Sequence, residues 1–363
     1  MTTVGFIGTR GIVGSVLLKR MQAENDFASF EPLFFSTSQI GKKVVNINID
    51  VPPYYDANDI NTLAKLDIIV TCQGGQYTEK IYPQLRKTGW QGYWLDAASI
   101  LRLEKDSIIV LDPINHNAIK DGIAKGIKNY IGGNCTVSLL LLAIAGLLQE
   151  DLIDWLSVMT YQAVSGAGAK AMRTLIAQMH AIGIISADEL AKSEADILAL
   201  DQKITMLLNP NSLAGNLIPW IDTDLGNGQS REEQKVQAEA NKILQSRTTI
   251  PMDGICVRLG AMRCHSQALT IKLKKQVPLK DLEQIIQNAN EWVKVVPNNQ
   301  EATINELTPI AVSGKLTIPI GRIRTMSLGP DYLTAFTVGD QLLWGAAEPL
   351  RRALKIILQK LNG

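Results

Sequence analysis

The sequence predicts an α/β protein of two domains, one built on a mainly parallel sheet and one, of α+β type, on a mostly antiparallel sheet. Three observations predict it. Short apolar runs alternate with helical spacings through the first third of the chain, an order that yields right-handed βαβ units. A glycine-rich turn directly follows the first apolar run. Much later, Leu269, Ile271 and Leu273 alternate with Thr270, Lys272 and Lys274. That is the period of a strand with one wet face, which suits an antiparallel sheet covered on one side.

In chain order, the first candidate strands are Val4–Ile7, Leu33–Phe35, Ile68–Cys72, Tyr93–Leu95, Ile108–Leu111 and Tyr130–Ile131. Helical spacing runs over Val13–Met21 and Thr78–Lys87 between them. After Gly132–Gly133 an apolar helix is expected from near Thr136, then a strand over Trp155–Val164. Ser165-Gly166-Ala167-Gly168 reads as a small-residue loop opening a helix around Ala169–His180. A loop with Gly226, Gly228 and Ser230 leads into a charged helix over Arg231–Leu244. Leu343, Ala346, Leu350, Leu354, Ile357 and Leu361 have the spacing of a last helix, Leu342–Leu361, expected to pack back on the first domain.

The 363 residues suffice for two buried cores. With 36 basic against 35 acidic side chains, the chain lacks the cationic excess of an electrostatic nucleic-acid binder. A hydrophobic content of 46% argues against disorder. The longest apolar run, Val137–Leu148, is too short to span a bilayer. No targeting leader precedes Val4, and Cys72, Cys135, Cys256 and Cys264 form no CxxC pair. A cytoplasmic protein with reduced thiols and no membrane association is therefore expected. Three histidines, His116, His180 and His265, make a His-rich metal site improbable, and no metal is expected.

Gly8-Thr9-Arg10-Gly11-Ile12-Val13-Gly14 lies between a strand and a helix start. Glycines there allow positive φ and close approach of a pyrophosphate to the helix N-terminus, as in a Rossmann-like dinucleotide site. The spacing is GxxGxxG rather than the usual GxGxxG, and a ligand-less glycine turn is the plainer alternative. The second strand ends in Phe34-Phe35-Ser36-Thr37-Ser38-Gln39, with no carboxylate for a ribose 2′-hydroxyl. Hydroxyls together with Arg10 suit a 2′-phosphate, so NADP is expected over NAD; an ordinary polar turn is the competing reading.

Gly132-Gly133-Asn134-Cys135-Thr136 places Cys135 at the start of an apolar helix. The dipole and free amides there are expected to lower its pKa and to stabilise an oxyanion. An isolated cysteine is more often an inert buried residue, the reading given to Cys72, Cys256 and Cys264.

With these residues the chain resembles the bacterial-type aspartate-semialdehyde dehydrogenases along its whole length. The matching blocks are Gly5-Phe6-Ile7-Gly8, Phe34-Phe35-Ser36-Thr37-Ser38-Gln39, Thr71-Cys72-Gln73-Gly74-Gly75 and Gly133-Asn134-Cys135-Thr136-Val137-Ser138. Ser230-Arg231-Glu232-Glu233, Arg263-Cys264-His265-Ser266-Gln267 and Gly339-Asp340-Gln341-Leu342-Leu343-Trp344-Gly345 continue it. N-acetylglutamyl-phosphate reductases carry Tyr-Pro after their cysteine, where this chain has Thr136-Val137.

The resemblance implies NADPH-dependent reductive dephosphorylation of L-aspartyl-4-phosphate to L-aspartate 4-semialdehyde, a step toward lysine, diaminopimelate, threonine and methionine. It makes Cys135 the acyl-thioester nucleophile and His265 its acid–base partner. Arg258 corresponds to the α-carboxylate position, Glu232 to that facing the α-ammonium, and Gln162 to a substrate-contact glutamine. Arg102 and Lys235 correspond to phosphate positions. For NADP(H) it adds Arg10, Gly11, Ile12, Val13, Thr37, Ser38, Gln73, Ser165, Gly166 and Gln341. The chain departs from the family at a proline contact around Ser193 and at Ala167, which replaces a glycine. The implied domains are residues 1–133 with 345–363 for NADP and 134–344 for catalysis and dimerisation, giving a homodimer. A reductase for another acyl phosphate and a non-catalytic NADP-binding sensor are the competing functions. Because Arg258 and His265 are seven residues apart, an unbroken strand would point them to opposite faces. A bend or bulge near Gly260 is expected.

Overall fold

Seven parallel strands form the first sheet: β1 Thr3–Ile7, β2 Glu31–Ser36, β3 Tyr55–Asp56, β4 Ile68–Thr71, β5 Tyr93–Asp96, β6 Ser107–Val110 and β7 Asn129–Gly132. Their order in this computed structural model is β3-β2-β1-β4-β5-β7-β6. The structure describes residues 1–192, 194, 196–246 and 248–362; Ser193 therefore lies outside the described residues. β1 pairs β2 on one side and β4 on the other. The strand order thus reverses there, and a crevice opens beyond the strand ends.

The strands are apolar throughout because both faces are covered. On one face Phe6 and Phe34 stack with centroids 5.4 Å apart, beside Phe27 and Phe30. Truncating such a ring to alanine costs about 3–5 kcal/mol. Leu350, Leu354 and Ile357 of the last helix, Glu348–Asn362, close this same core, so that helix does return to the first sheet. Ile7, Phe35, Trp94 and Ile131 fill the opposite face.

The second sheet contains β8 Ile153–Gln162, β9 Leu217–Ile218, β10 Met252–Asp253, β11 Cys256–Leu259, β12 Cys264–Leu273, β13 Val293–Val295, β14 Ile318–Met326 and β15 Gly329–Asp340. Its long ladders, β8 with β12, β12 with β15 and β15 with β14, are antiparallel as expected. The sheet is nevertheless mixed, because β10 and β11 join β8, and β13 joins β14, in parallel. Helices from Cys135–Ala143 and Arg231–Leu244 cover one face, over Leu156, Val158, Leu269 and Ile271.

Three expected elements change their limits. The strand drawn to Val164 stops at Gln162, because Val164–Ala167 forms a 3₁₀ turn. Val164 and Ser165 there donate their N–H groups to the carbonyls of Ala261 and Met262. The helix drawn over Ala169–His180 runs from Gly168 to Leu190. The last helix begins as a π-helical turn, Leu343–Ala347, where Gly345 passes the Cys135–Ala143 helix so closely that a Cβ would lie 2.8 Å from Cys135 Cβ.

Candidate active site

β7 ends at Gly132 on the carboxyl edge of the parallel sheet, so the next residues leave the sheet where its crevice opens. Asn134 ends this short link as the N-cap of the Cys135–Ala143 helix. Its side-chain oxygen accepts from the N–H groups of Thr136 at 2.9 Å and Val137 at 3.2 Å. Those amides were expected to be open for an oxyanion; the cap engages them, which leaves the N–H of Cys135 itself.

Cys135 Sγ lies 3.2 Å from His265 Nε2. Burial pushes the thiol up to about 12, Glu232 adds to the shift, and Arg258 and Arg102 oppose it. The expected lowering is not met: desolvation disfavours thiolate more than the two guanidinium groups favour it. Burial pushes Cys72, Cys256 and Cys264 up to about 12 as well. Cys135 is set apart by its partner, not by its acidity. His265 is fully buried, and burial, with Arg258 second, lowers it to about 3.

Arg258 and His265 do share the site, and the chain does bend at Gly260 as expected, but the bend ends one strand rather than bulging a continuous one. β11 ends at Leu259 and β12 begins at Cys264, on opposite sides of β8. Residues 260–263 cross the end of β8 between them. Arg258 sits opposite Gln162 in the β11–β8 ladder, and its Nη1 donates to the Ala163 carbonyl at 2.5 Å. Gly166 packs on both residues: a Cβ there would lie 3.2 Å from Arg258 Nη1 and 3.5 Å from His265.

Glu232 is reached from three segments. Its Oε1 accepts from Asn134 Nδ2 at 2.9 Å and Gln162 Nε2 at 3.2 Å, and its Oε2 from Lys235 Nζ at 3.0 Å. Burial works to raise this carboxyl, but Lys235, Asn134 and Gln162 together hold it below its ordinary value. Lys235 also pairs with Asp222 at 2.7 Å. A capping box between Ser230 and Glu233 starts this helix and fixes the direction of Glu232. Arg102 reaches the same wall, with Nε on the Gly132 carbonyl at 2.6 Å and Nη1 on Glu239 at 3.1 Å.

The other expected residues divide between two places. Arg10, Gly11, Thr37, Ser38 and Gln73 line a cleft of about 330 Å³ at the strand-order reversal. Gly8 turns there at φ +78°, and a Cβ on it would lie 2.6 Å from the main chain of Cys72 and Gln73. Arg10 Nη1 approaches Ser38 Oγ at 3.4 Å, and Ser36 Oγ accepts from the Ser38 and Gln39 amides. Among the described residues no carboxylate lines this cleft, which suits a 2′-phosphate. Ile12 and Val13 open the adjoining helix without lining the cleft. Ser165 and Gln341 lie on the Cys135 side, joined by a 2.7 Å bond from Gln341 Nε2 to Ser165 Oγ.

A family model described as Semialdehyde dehydrogenase, NAD binding domain, matches residues 3–122. A second, Semialdehyde dehydrogenase, dimerisation domain, matches residues 144–344. The solved aspartate semialdehyde dehydrogenase from Francisella tularensis is 50% identical, with 98% of this chain and 100% of that chain covered and a TM-score of 0.94. The chain belongs to the aspartate-semialdehyde dehydrogenase family. Two distant structures share the fold. Aspartate semialdehyde dehydrogenase II from Vibrio cholerae, complexed with ASA, is 20% identical with TM-score 0.80, covering 99% of this chain and 98% of that one. The Candida albicans enzyme with NADP is 16% identical with TM-score 0.66, covering 100% and 99%.

In this family member the sequence reading missed Asn134 and Glu239. Glu239 Oε2 accepts from the Asn134 N–H at 2.7 Å while its Oε1 holds Arg102. Both had a signal. An Asn before an apolar helix is an N-cap candidate, and Glu239, seven residues after Glu232, shares its helix face.

Proposed function

We propose that Cys135 carries the aspartyl acyl group as a thioester in the NADP-dependent interconversion of L-aspartyl-4-phosphate and L-aspartate 4-semialdehyde. The chain is an enzyme of the aspartate-semialdehyde dehydrogenase type. The observation that supports the residue assignment is the 3.2 Å approach of His265 Nε2 to Cys135 Sγ, a pairing that the other cysteines do not make among the described residues. Arg258, half-buried beside Cys135, is suited to the α-carboxylate as a bidentate fork. Glu232, held below its ordinary value by Lys235, Asn134 and Gln162, is suited to a free α-ammonium, a charge that an N-acylated substrate would lack. Gln162 bridges Glu232 and the end of β8. Lys235 and Arg102 are assigned to phosphate, which competes for Lys235 with Asp222 and for Arg102 with Glu239.

Arg10, Gly11, Thr37, Ser38 and Gln73 would hold the adenosine phosphate and pyrophosphate end of NADP(H), with Ile12 and Val13 at the helix start. Ser165, Gly166 and Gln341 would border its nicotinamide. When bound, NADPH supplies the hydride that reduces the thioester.

We propose that this reaction serves lysine, threonine, methionine and diaminopimelate synthesis and runs in the cytoplasm. Two copies are proposed to pair through the sheet face left partly open by Trp155, Met159, Thr270 and Tyr332, within the segment matched by the dimerisation model. Sedimentation should give twice the chain mass. The deciding assay is NADP reduction with aspartate semialdehyde and phosphate for the native chain and Cys135→Ala. Turnover lost with NADP binding retained is expected; activity surviving in the variant overturns the thioester.

A further inference from the structure

We propose that Glu239 is a positioning residue for the phosphate step: it fixes Arg102 beside Cys135 and offsets its charge, so that phosphate is held loosely enough to leave. The proposal rests on the assignment of Arg102 and Lys235 to phosphate, and Glu239 acts through Arg102.

The ground is the way this carboxylate is tied. Its Oε1 accepts from Arg102 Nη1 at 3.1 Å and its Oε2 from the Asn134 N–H at 2.7 Å. Both side chains of the ion pair are buried, Glu239 at 2% and Arg102 at 10% exposure, where salt and water screen it little. The guanidinium has two further anchors, Nε on the Gly132 carbonyl at 2.6 Å and Nη2 on that of Ala97 at 3.3 Å. Lys242, one turn beyond Glu239, adds a grip on the main chain: its Nζ donates to the carbonyls of Arg102 at 2.6 Å and Glu104 at 2.7 Å. Arg102 is thus held in place even without its ion pair. What the carboxylate adds is a negative charge.

The neighbouring cation is treated in the same way. Glu232, Lys235, Glu239 and Lys242 follow at steps of three, four and three along one face of the Arg231–Leu244 helix. Lys235 bonds Glu232 at 3.0 Å and Asp222 at 2.7 Å, so each cation assigned to phosphate carries a carboxylate of its own. Asp96 also feels the Arg102 guanidinium, but its oxygens accept from Thr78, Trp94 and Ala98. An arriving phosphate dianion therefore meets Arg102 with Glu239 bonded to it. Like-charge repulsion then weakens a grip that an arginine without a carboxylate would make strong. A group released on every turnover requires that looser grip.

The test is Glu239→Gln in the full chain. Glutamine keeps an oxygen for the Asn134 N–H and loses the charge. Its KM for inorganic phosphate, with aspartate semialdehyde and NADP saturating, should fall roughly tenfold while the KM values of those two stay native. An unchanged or raised phosphate KM overturns the proposal, since a merely structural role only weakens phosphate. Glu239→Asp, which keeps the charge on a shorter stem, should not lower it; an equal fall in both variants overturns charge as the cause. Unfolding gives a measure independent of turnover, and of how well the variant folds. Inorganic phosphate should raise the urea midpoint of Glu239→Gln more than that of the native chain; an equal or smaller rise overturns the proposal. Arg102→Leu separates the underlying assignment. If it raises the phosphate KM while Glu239→Gln fails to lower it, the proposal falls and the assignment stands. If it leaves the phosphate KM native, both fall.

Discussion

The cleft beside Gly8 and the pocket around Cys135 open on the same edge of the first sheet but are made of different material. The cleft is lined by main chain and by exposed side chains such as Arg10, which makes a long hydrogen bond to Ser38. The pocket is lined by buried and half-buried groups from separate segments, each engaged by another: Asn134 by Glu239 and Glu232, His265 by Ala163, Lys235 by Glu232 and Asp222. A site that binds a large cofactor can rely on backbone shape and adapt its side chains. A site that must form and break bonds on one sulfur needs its partners fixed beforehand.

Four substitutions probe that contrast, the largest effect first. Cys135→Ala should lower NADP-linked turnover roughly ten-thousand-fold or more while cofactor titration by fluorescence stays near native. Equal losses of turnover and cofactor binding would merge the two regions. Asn134→Ala removes the cap of the Cys135–Ala143 helix and one partner of Glu232. It should cost about 1 kcal/mol in urea unfolding and roughly 10–100-fold in kcat through misplacement. A variant stable and active at native levels would make the pocket's outer layer dispensable. Gly8→Ala forces a Cβ against the main chain of Cys72 and Gln73 at positive φ. It should raise KM for NADP roughly tenfold with a smaller change in kcat, the reverse of Asn134→Ala. Ser38→Asp should shift preference from NADP toward NAD by roughly tenfold, read as the ratio of kcat/KM values, and should leave acylation of Cys135 unchanged.

The smallest effect is on stability against pH. His265 stays neutral in the fold to about 3, whereas an unfolded imidazole takes its proton near 6.5. The unfolded state therefore binds the extra proton below 6.5, and stability falls as pH drops toward 3. Asp96 acts in the opposite sense: burial raises it to about 6, so its contribution is lost as pH rises through that value. His265→Gln removes only the first term. Its urea midpoint should fall less than the native one between pH 7 and pH 4.5, and equal falls would contradict a buried neutral ring.

Local patterns carried much of this fold. The alternation of runs through Tyr130–Ile131, the turn at Gly8 and the helix over Arg231–Leu244 depend on neighbours within a few residues, so spacing and caps reveal them. Cys135 and His265 stood out once their surrounding blocks matched a family. What spacing concealed was tertiary. Arg258 and His265 share a site because β8 lies between their strands, which no parity count along the chain displays. The acidity of Cys135 does not follow from its position at a helix start, which is local, because its burial involves Gly345 and His265 from distant segments. The cap that engages the helix amides was written in Asn134, yet its partner Glu239 lies 105 residues further on.

The central claim is a covalent acyl group on Cys135, and phosphate withdrawal tests it most directly. Mixing the protein with aspartate semialdehyde and NADP, phosphate withheld, should release a burst of one NADPH per active site. Mass spectrometry of the quenched protein should then place an aspartyl acyl adduct on the peptide holding Cys135. No burst, or an adduct on any other residue, would contradict the account.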